Sequence, residues 1–187
     1  GTQVASAGRD VTLIGATLQN KGGGGSSGMT AITAKRDIHM GTVAESASRA
    51  VLTGPGRYVG SAGSTEVGTT IATNGATFLQ SGNDIDAPQA NVDAGTGLLS
   101  AHADRDIHIG SGRDTQADVI GNQTTQKGIL GKSTTTTTAS VESSTGMGSR
   151  FSGGVVAVTA DRDIDIEGSH LSGTQGHESL SHAAKAE

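Results

Sequence analysis

The 187-residue chain contains no cysteine, which excludes a disulfide framework, thiol chemistry and thiolate ligands for a structural zinc. Aromatic residues make up only 2% of it, namely Tyr58, Phe78 and Phe151, so a compact domain around a bulky aromatic core is not expected. No apolar run approaches the roughly eighteen residues of a membrane-spanning helix, and no basic-then-apolar signal peptide opens the chain. Because residues 1–4 are typical of the middle of a repeat, we expect a piece of a longer protein whose export signal lies elsewhere.

The chain also lacks a large excess of either positive or negative charge. The formal net charge is -5, from 13 basic and 18 acidic residues spread along the chain. This balance lacks the basic patch that nucleic acid or anionic lipid requires. A nucleic-acid partner is therefore not expected.

What the chain does contain is glycine and small or β-branched residues. Its 30 glycines accompany many Thr, Ser, Ala, Val and Ile residues and only two prolines. This composition is typical of many short strands separated by tight corners. The sequence therefore favours an all-β fold.

One short phrase, an aspartate followed by a strand-forming triplet, returns five times. Its aspartates are Asp10, Asp37, Asp84, Asp106 and Asp163, at steps of 27, 47, 22 and 57 residues. Recurrence of this kind is typical of a solenoid built from stacked copies of one unit. If the steps hold one, two, one and three coils, the chain contains about seven units of roughly 22 residues.

The residues around each aspartate predict strands. The triplets Ile38-His39-Met40, Ile107-His108-Ile109 and Ile164-Asp165-Ile166 alternate in, out, in, as a strand with one buried face requires. Ala31–Ala34 and Val155–Ala160 form a second strand upstream of the aspartate. The segments starting at Gly15 and Gly168 form a third after a glycine corner. Three strands and three corners per coil predict a parallel β-helix.

The residue before each aspartate is arginine in four copies and asparagine in the fifth. A charged ladder that binds a ligand or calcium is one interpretation. We favour a turn in which aspartate accepts backbone N–H bonds and arginine shields neighbouring carboxylates. The residues assigned to this repeat turn are Arg9, Asp10, Arg36, Asp37, Asn83, Asp84, Arg105, Asp106, Arg162 and Asp163.

The outward position two residues after each aspartate holds Thr12, His39, Asp86, His108 and Asp165. Histidine and aspartate there imitate a metal or catalytic site. Because the positions are predicted to lie several coils apart, we expect them simply to face solvent. Recurring aspartate doublets likewise argue against a unique catalytic pair, and the scarcity of aromatic residues removes sugar-stacking platforms. We therefore expect no catalytic, cofactor-binding or metal-binding residue.

The least repetitive stretch is 122–152. Its alternating β-branched and polar residues around a glycine-containing turn favour a β-hairpin inserted in the solenoid, with a disordered loop as the alternative. The residues proposed for contact are Lys127, Ile129, Leu130, Lys132 and Thr136; a passive spacer is equally compatible. The β-helix segment is expected to span 1–173. For the tail 174–187, a helix and a frayed end both fit, and its His177 and His182 match no compact metal-ligand set.

The phrases Ala7-Gly8-Arg9-Asp10-Val11-Thr12 and Thr159-Ala160-Asp161-Arg162-Asp163-Ile164 resemble the haemagglutinin repeats of filamentous haemagglutinin-like exoproteins. The segment from Lys127 to Ser169 is similar to the second repeat region of contact-dependent growth inhibition effectors. The Arg-Asp phrase is missing between Gly41 and Thr73, where the chain departs from this pattern.

The resemblance implies a right-handed parallel β-helix, exported by two-partner secretion through an outer-membrane transporter and displayed on the surface of a Gram-negative bacterium. Fibres of this family bind host or neighbouring cells, or carry a C-terminal toxin. We therefore expect a noncatalytic segment of an adhesin or toxin-delivery stalk that meets a cell-surface receptor. The alternatives are a polysaccharide-degrading β-helix enzyme and a scaffold that self-associates through exposed solenoid ends.

Overall fold

A computed structural model describes residues 1–23 and 27–182, with side chains described as far as Gln175. These residues form strands, turns and bends, so the all-β fold expected from the sequence is confirmed. Within them, no helix has the length and apolar character needed to cross a membrane. The strands are β1 (Thr2–Ala7), β2 (Val11–Ile14), β3 (Thr17–Asn20), β4 (Gly28–Ala34), β5 (Ile38–Gly41), β6 (Val43–Gly54), β7 (Arg57–Val67), β8 (Thr70–Thr73), β9 (Gly75–Ser81), β10 (Ile85–Asp86), β11 (Asn91–Asp93), β12 (Leu98–Ala103), β13 (Ile107–Ile109), β14 (Ser111–Gly128), β15 (Gly131–Gly148), β16 (Arg150–Ala160), β17 (Ile164–Ile166) and β18 (His170–His182).

The chain divides into two compact units. The solenoid unit contains Gly1–Val43, Val67–Gly112 and Gly146–Glu187. The inserted unit contains Ala44–Glu66 and Arg113–Thr145. The solenoid unit is therefore interrupted twice in sequence, and both interruptions contribute to the same second unit.

The solenoid unit is built from two parallel sheets. One has the order β17-β13-β10-β5-β2, and the other runs β1-β4-β9-β12-β16-β11-β8-β3, with β18 also paired to β16. The first half of β16 pairs with β11 and the second half with β12, so this strand closes one coil and opens the next. Each coil thus supplies three strand segments that pair with the coils above and below, as expected for a β-solenoid.

In the described part of the chain the stack contains five coils, not seven. The register joins Val11 to Ile38, Ile38 to Ile85, Ile85 to Ile107, and Ile107 to Ile164. Every step between successive aspartates is therefore one coil. The predicted two coils in the 47-residue step and three in the 57-residue step are wrong, because the extra residues form the inserted unit instead of further coils.

The core is a set of columns running along the stack. One column places Leu18, Ile71, Val92, Phe151 and Leu171 in successive coils, and Ile71, Val92 and Phe151 are fully buried. The predicted in, out, in alternation is confirmed, since Ile38, Met40, Ile107 and Ile109 are buried, while Ile164 and Ile166 in the last coil are partly buried. Among the described residues, aliphatic side chains, a few threonines and serines, and the ring of Phe151 thus fill the interior.

The inserted unit is a four-stranded sheet in the order β15-β14-β7-β6. Strands β14 and β7 pair antiparallel, from Thr115 opposite Ser64 to Asn122 opposite Arg57. Pro55-Gly56 joins β6 to β7, and Ile129-Leu130 joins β14 to β15. The predicted hairpin is therefore one half of a larger sheet, whose other half comes from the stretch where the Arg-Asp phrase is missing.

Two sequence predictions concern segments at the limits of the described residues, the C-terminal tail and a glycine-rich loop. β18 continues as a strand through His182, where the sequence left a helix or a frayed end open. The side chains of His177 and His182 lie outside the described residues, as do residues 24–26 of the glycine-rich Lys21–Gly28 loop.

Candidate functional site

The Arg-Asp phrase forms a ladder in which each aspartate reaches into the following coil. The Arg36 guanidinium donates to both carboxylate oxygens of Asp10, at 2.9 Å from Nε and 2.5 Å from Nη2. Arg105 makes the same bidentate contact with Asp84, at 3.1 and 2.5 Å, and Arg162 approaches Asp106 at 3.4 Å. The arginine of one coil therefore neutralises the aspartate of the coil before it.

The same carboxylates also hold the backbone. The Asp37 N–H donates to Asp10 Oδ1, and the Asp84 N–H donates to Asp37 Oδ1. The Asp106 and Asp163 N–H groups repeat this contact with Asp84 and Asp106. The carboxylate oxygens of the ladder are thus directed at backbone N–H and guanidinium donors of the next coil.

Asn83 interrupts the ladder. It stands where the other copies have arginine, so Asp37 accepts the Asp84 N–H but receives no guanidinium from the coil above in the described contacts. At the intact rung below, the hydrogen bond from Arg36 holds the pKa of Asp10 below its usual range and raises the pKa of Arg36. The ladder is therefore a series of local pairs with a break after the second coil.

The outward histidines and aspartates are not several coils apart, contrary to the sequence prediction. Thr12, His39, Asp86, His108 and Asp165 occupy adjacent rungs of one sheet. His39 Nδ1 lies 2.8 Å from Asp86 Oδ2, and His108 Nδ1 lies 3.2 Å from Asp165 Oδ2. The prediction was wrong because it counted residues of the inserted unit as additional coils between these positions.

This histidine–aspartate column is nevertheless partly solvent-exposed and linear. Among the described residues, no group of three or more His, Asp or Glu side chains converges with the geometry to hold a metal ion. Its contacts join neighbouring strands pairwise, as cross-strand partners on one face do. The column therefore stabilises the outer face of the sheet between coils.

Two buried hydroxyl groups, missed by sequence reasoning, mark where the chain returns from its insertions. Thr69 Oγ1 lies 3.0 Å from the Leu13 carbonyl oxygen and 3.3 Å from that of Gly41, between which its one hydrogen is shared, and it accepts the Ala16 N–H at 3.4 Å. It therefore ties the returning chain to the two coils it connects.

Ser149 has the same role at the second insertion. Its Oγ accepts the Ala90 N–H at 2.8 Å and lies 2.7 Å from the carbonyl oxygens of both Ala87 and Gly110. The side chain is 2% exposed, so these contacts satisfy backbone groups that water does not reach. We call Thr69 and Ser149 the return hydroxyls.

A sequence signal for the return hydroxyls was present. Each follows a glycine, in Gly68-Thr69 and Gly148-Ser149, and the last coil repeats the pattern at Gly168-Ser169. A Cβ on Gly68 would lie 1.7 Å from the Gln89 carbonyl oxygen, and one on Gly148 would lie 1.8 Å from that of Gly168, so neither position accepts a side chain. The pairs mark the corner before the third strand of a coil.

The inserted unit carries an open depression of about 680 Å³ within its own sheet. Small residues from all four strands line it, together with Arg113 and Glu142. At one end of the sheet, the Arg113 N–H donates to Glu66 Oε2 at 2.7 Å and the Glu66 N–H donates to Asp114 Oδ1 at 3.0 Å. These contacts fasten β7 to β14.

The candidate contact residues cluster at the far end of the β14–β15 hairpin. Ile129 and Leu130 form its two-residue turn and are fully exposed. Lys127 and Lys132 flank the turn, and Thr136 lies in the exposed strand β15. The structure thus presents two apolar and two basic side chains together at this tip.

Comparison with known proteins agrees with the fold. Residues 41–129 match the family model of the hemagglutinin repeat, a span from the end of β5 through both arms of the first insertion to the hairpin tip. The chain is also 33% identical over 105 residues, 56% of its length, to "Deoxyribonuclease CdiA" of Dickeya dadantii (strain 3937). It covers only 3% of that much longer protein, and no solved structure matches it. Residues 41–129 are therefore similar to the hemagglutinin repeat, and a 105-residue stretch of the chain is similar to part of a contact-dependent inhibition protein.

Proposed function

We propose that this chain is a noncatalytic stalk segment of a fibre displayed on the surface of a Gram-negative bacterium, and that the fibre delivers a C-terminal toxin to neighbouring bacteria. The observation that carries the proposal is the unbroken register of five coils, in which Val11, Ile38, Ile85, Ile107 and Ile164 stack although two long insertions interrupt the chain. A stack of coils that keeps its register gives a fibre length and stiffness.

The contacts between coils support a mechanical role. Arg36 joins two coils through Asp10, Arg105 joins two others through Asp84, and the return hydroxyls join neighbouring coils where the chain re-enters the stack. These side-chain contacts add to the backbone pairing of every strand. Separating neighbouring coils would break all of them together.

The choice of toxin delivery over adhesion follows from the relative. "Deoxyribonuclease CdiA" carries an enzyme in its name, and a 33% identical repeat lies within it. By this proposal our chain belongs to an exoprotein of the same plan, exported through an outer-membrane transporter. Its own role is to hold the toxin away from the secreting cell.

Adhesion is the second candidate function, and the inserted unit favours it. The tip residues Ile129 and Leu130 are fully exposed apolar side chains, and exposed apolar groups of this kind commonly mark contact sites. Lys127, Lys132 and Thr136 would complete the contact with a host or bacterial cell-surface receptor. The two functions are compatible, because a stalk can also hold its target.

A chimera tests the stalk proposal. This chain would replace the matching segment of the Dickeya relative, and inhibition of neighbouring cells would be measured in co-culture beside surface display by antibody. We expect display and inhibition to be retained by the native chain, and inhibition to be lost with I107D, which disrupts a buried column. Display without inhibition by the native chimera would contradict the proposal.

A variant with Ile129→Ser and Leu130→Ser separates the two functions. If the tip holds the receptor, this variant will be displayed normally but will bind fewer target cells. If the segment is only a stalk, cell binding will be unchanged. Cleavage of a polysaccharide by the isolated chain would overturn the noncatalytic assignment altogether.

A further inference from the structure

Strand β15 forms one edge of the inserted sheet and leaves its outer backbone groups unpaired in the described chain. It is 18 residues long, and every residue in it is exposed. Natural edge strands are usually protected from pairing by charges, proline, bulges or short length. Between Ser133 and Val141, β15 has no charge, proline or glycine, and five of these residues are the consecutive threonines Thr134–Thr138.

The hairpin geometry identifies which backbone groups are free. The two-residue turn makes Gly128 and Gly131 a hydrogen-bonded pair, and the Thr125 and Thr134 hydroxyls, 3.3 Å apart, confirm this register further along the arms. Hydrogen-bonded and non-hydrogen-bonded positions alternate along an antiparallel pair. The even-numbered residues from Lys132 to Glu142 therefore direct their N–H and C=O groups away from β14.

We propose that two copies of this chain associate through their β15 strands, paired antiparallel about a two-fold axis at Thr137. In this register, even-numbered residues face even-numbered residues, so the free backbone groups of both strands meet; about twelve hydrogen bonds would form between Lys132 and Glu142. The same register places Lys132 of each copy directly opposite Glu142 of the other. Two cross-strand ion pairs and a row of threonine pairs result.

The charges of the hairpin itself favour this partner. Because Gly128 pairs with Gly131, Lys127 lies opposite Lys132, and like charges directly opposite one another destabilise a strand pair. Between residues 119 and 141 the sequence has these two lysines and no acidic residue. Glu142 of a second copy would supply the missing negative charge to Lys132.

The charges also select one register among several. A run of five threonines offers little to distinguish one alignment from the next, as uniform strands generally do. Moving the axis to Thr136 would place Lys132 opposite Ser140, and moving it to Thr138 would place Lys132 opposite Ser144. Only the axis at Thr137 pairs both lysines with both glutamates.

Analytical ultracentrifugation of the full 187-residue chain tests the proposal. We expect a concentration-dependent dimer of twice the 18.5 kDa monomer mass. K132E and E142K each put like charges at both cross-strand positions, so either variant alone should dimerise at least about tenfold more weakly. Mixed in equal amounts, the two variants restore both attractions, so the mixture should recover a heterodimer.

Two further variants complete the test. T136P removes an outward N–H without breaking a bond to β14, so it should abolish the dimer and leave the circular dichroism spectrum unchanged. R49E changes a charge on β6, the opposite edge of the same sheet, and should dimerise like the native chain. A strict monomer at high concentration would overturn the proposal, as would self-association that persists in both single-charge variants, which would instead indicate stacking of solenoid ends.

Discussion

The two units use similar residues to reach opposite states of burial. Strand β12 of the solenoid unit alternates between buried and partly exposed residues, with Leu99, Ala101 and Ala103 inside. Strand β15 of the inserted unit is exposed throughout, although its threonines and valine have the same preference for strands. Strand propensity is therefore satisfied in both units, and only the solenoid adds an apolar core.

The difference follows from closure. A coil that turns through three segments faces its own interior, so every inward side chain meets side chains of the neighbouring coils. The inserted unit is a single four-stranded sheet and supplies no second layer of its own, and a sheet needs one to bury a face. Stability in the solenoid should therefore depend on inward side chains and buried polar contacts. The inserted unit should tolerate substitution at the same residue types.

The largest expected effect is that of Ile107→Asp. The substitution places a carboxylate in the fully buried β13 column, between Ile85 and Ile164, at a cost of about 4 kcal/mol or more. The expected result is loss of cooperative thermal unfolding in circular dichroism. Ile129→Asp, at the fully exposed turn of the inserted unit, is the matched control and should leave the transition unchanged. Equal effects of the two would remove the distinction between the units.

A smaller loss is expected from Ser149→Ala. It leaves the buried Ala90 N–H without its acceptor, while the Ala87 and Gly110 carbonyls keep backbone N–H donors, at a cost of about 1–3 kcal/mol. The free energy of unfolding in urea measures it. Ser140→Ala in β15, the same change on an exposed strand, should cost almost nothing; a loss as large as that of Ser149→Ala would show that burial does not decide the effect.

A weaker, pH-dependent effect is expected at the ladder. Because Arg36 lowers the pKa of Asp10, their pair stabilises the fold above the ordinary carboxyl pKa of about 3.9 and loses this contribution as pH falls through the lowered value. Asp10→Asn should therefore lower the melting temperature at pH 7 by less than Ser149→Ala does. The difference from the native chain should shrink as pH falls below the ordinary carboxyl pKa. A difference that persists in acid would mean that Asp10 acts through something other than its charge.

The smallest expected effect, despite the size of the change, is that of replacing Arg113–Thr145 by two glycines. A Cβ on Gly146 would lie only 4.0 Å from Ser111 Oγ, so the chain ends left by the deletion are close enough to join. The solenoid should keep its β spectrum and nearly its native melting temperature. Extending the deletion through Ser149 should be clearly more damaging, because it removes a return hydroxyl. Collapse of the shorter deletion would show that the inserted unit holds the coils together.

The buried face of each strand and the use of aspartate in the turns could be predicted from the sequence, because each copy of the repeat contains the residues that indicate them. The alternation of Ile38, His39 and Met40 determines which face is buried, and aspartate is a common turn residue wherever backbone N–H groups need an acceptor. The alternation depends on neighbours within one coil, whereas each aspartate accepts its backbone N–H from the next coil. The all-β fold and the inserted hairpin followed from the same local reasoning.

The coil count and the histidine–aspartate column could not be predicted in the same way. Residues of the inserted unit have the composition of coil residues, so dividing sequence length by a repeat period counted them as coils. The miscount then separated His39 from Asp86, which are in contact. The glycine–hydroxyl pairs Gly68-Thr69 and Gly148-Ser149 locate the end of each insertion, but their meaning depends on a carbonyl contributed by the next coil.

Both insertions end at a return hydroxyl in the same corner of the coil. The number of residues in this protein therefore does not determine the length of its stack of coils. Each coil advances the stack by about 4.8 Å, whether it contains an insertion or not. The inserted unit takes about three residues in ten and contributes none of that advance. Relatives of equal length could therefore differ widely in reach, and the number of coils, more than the number of residues, would measure how far such a fibre extends.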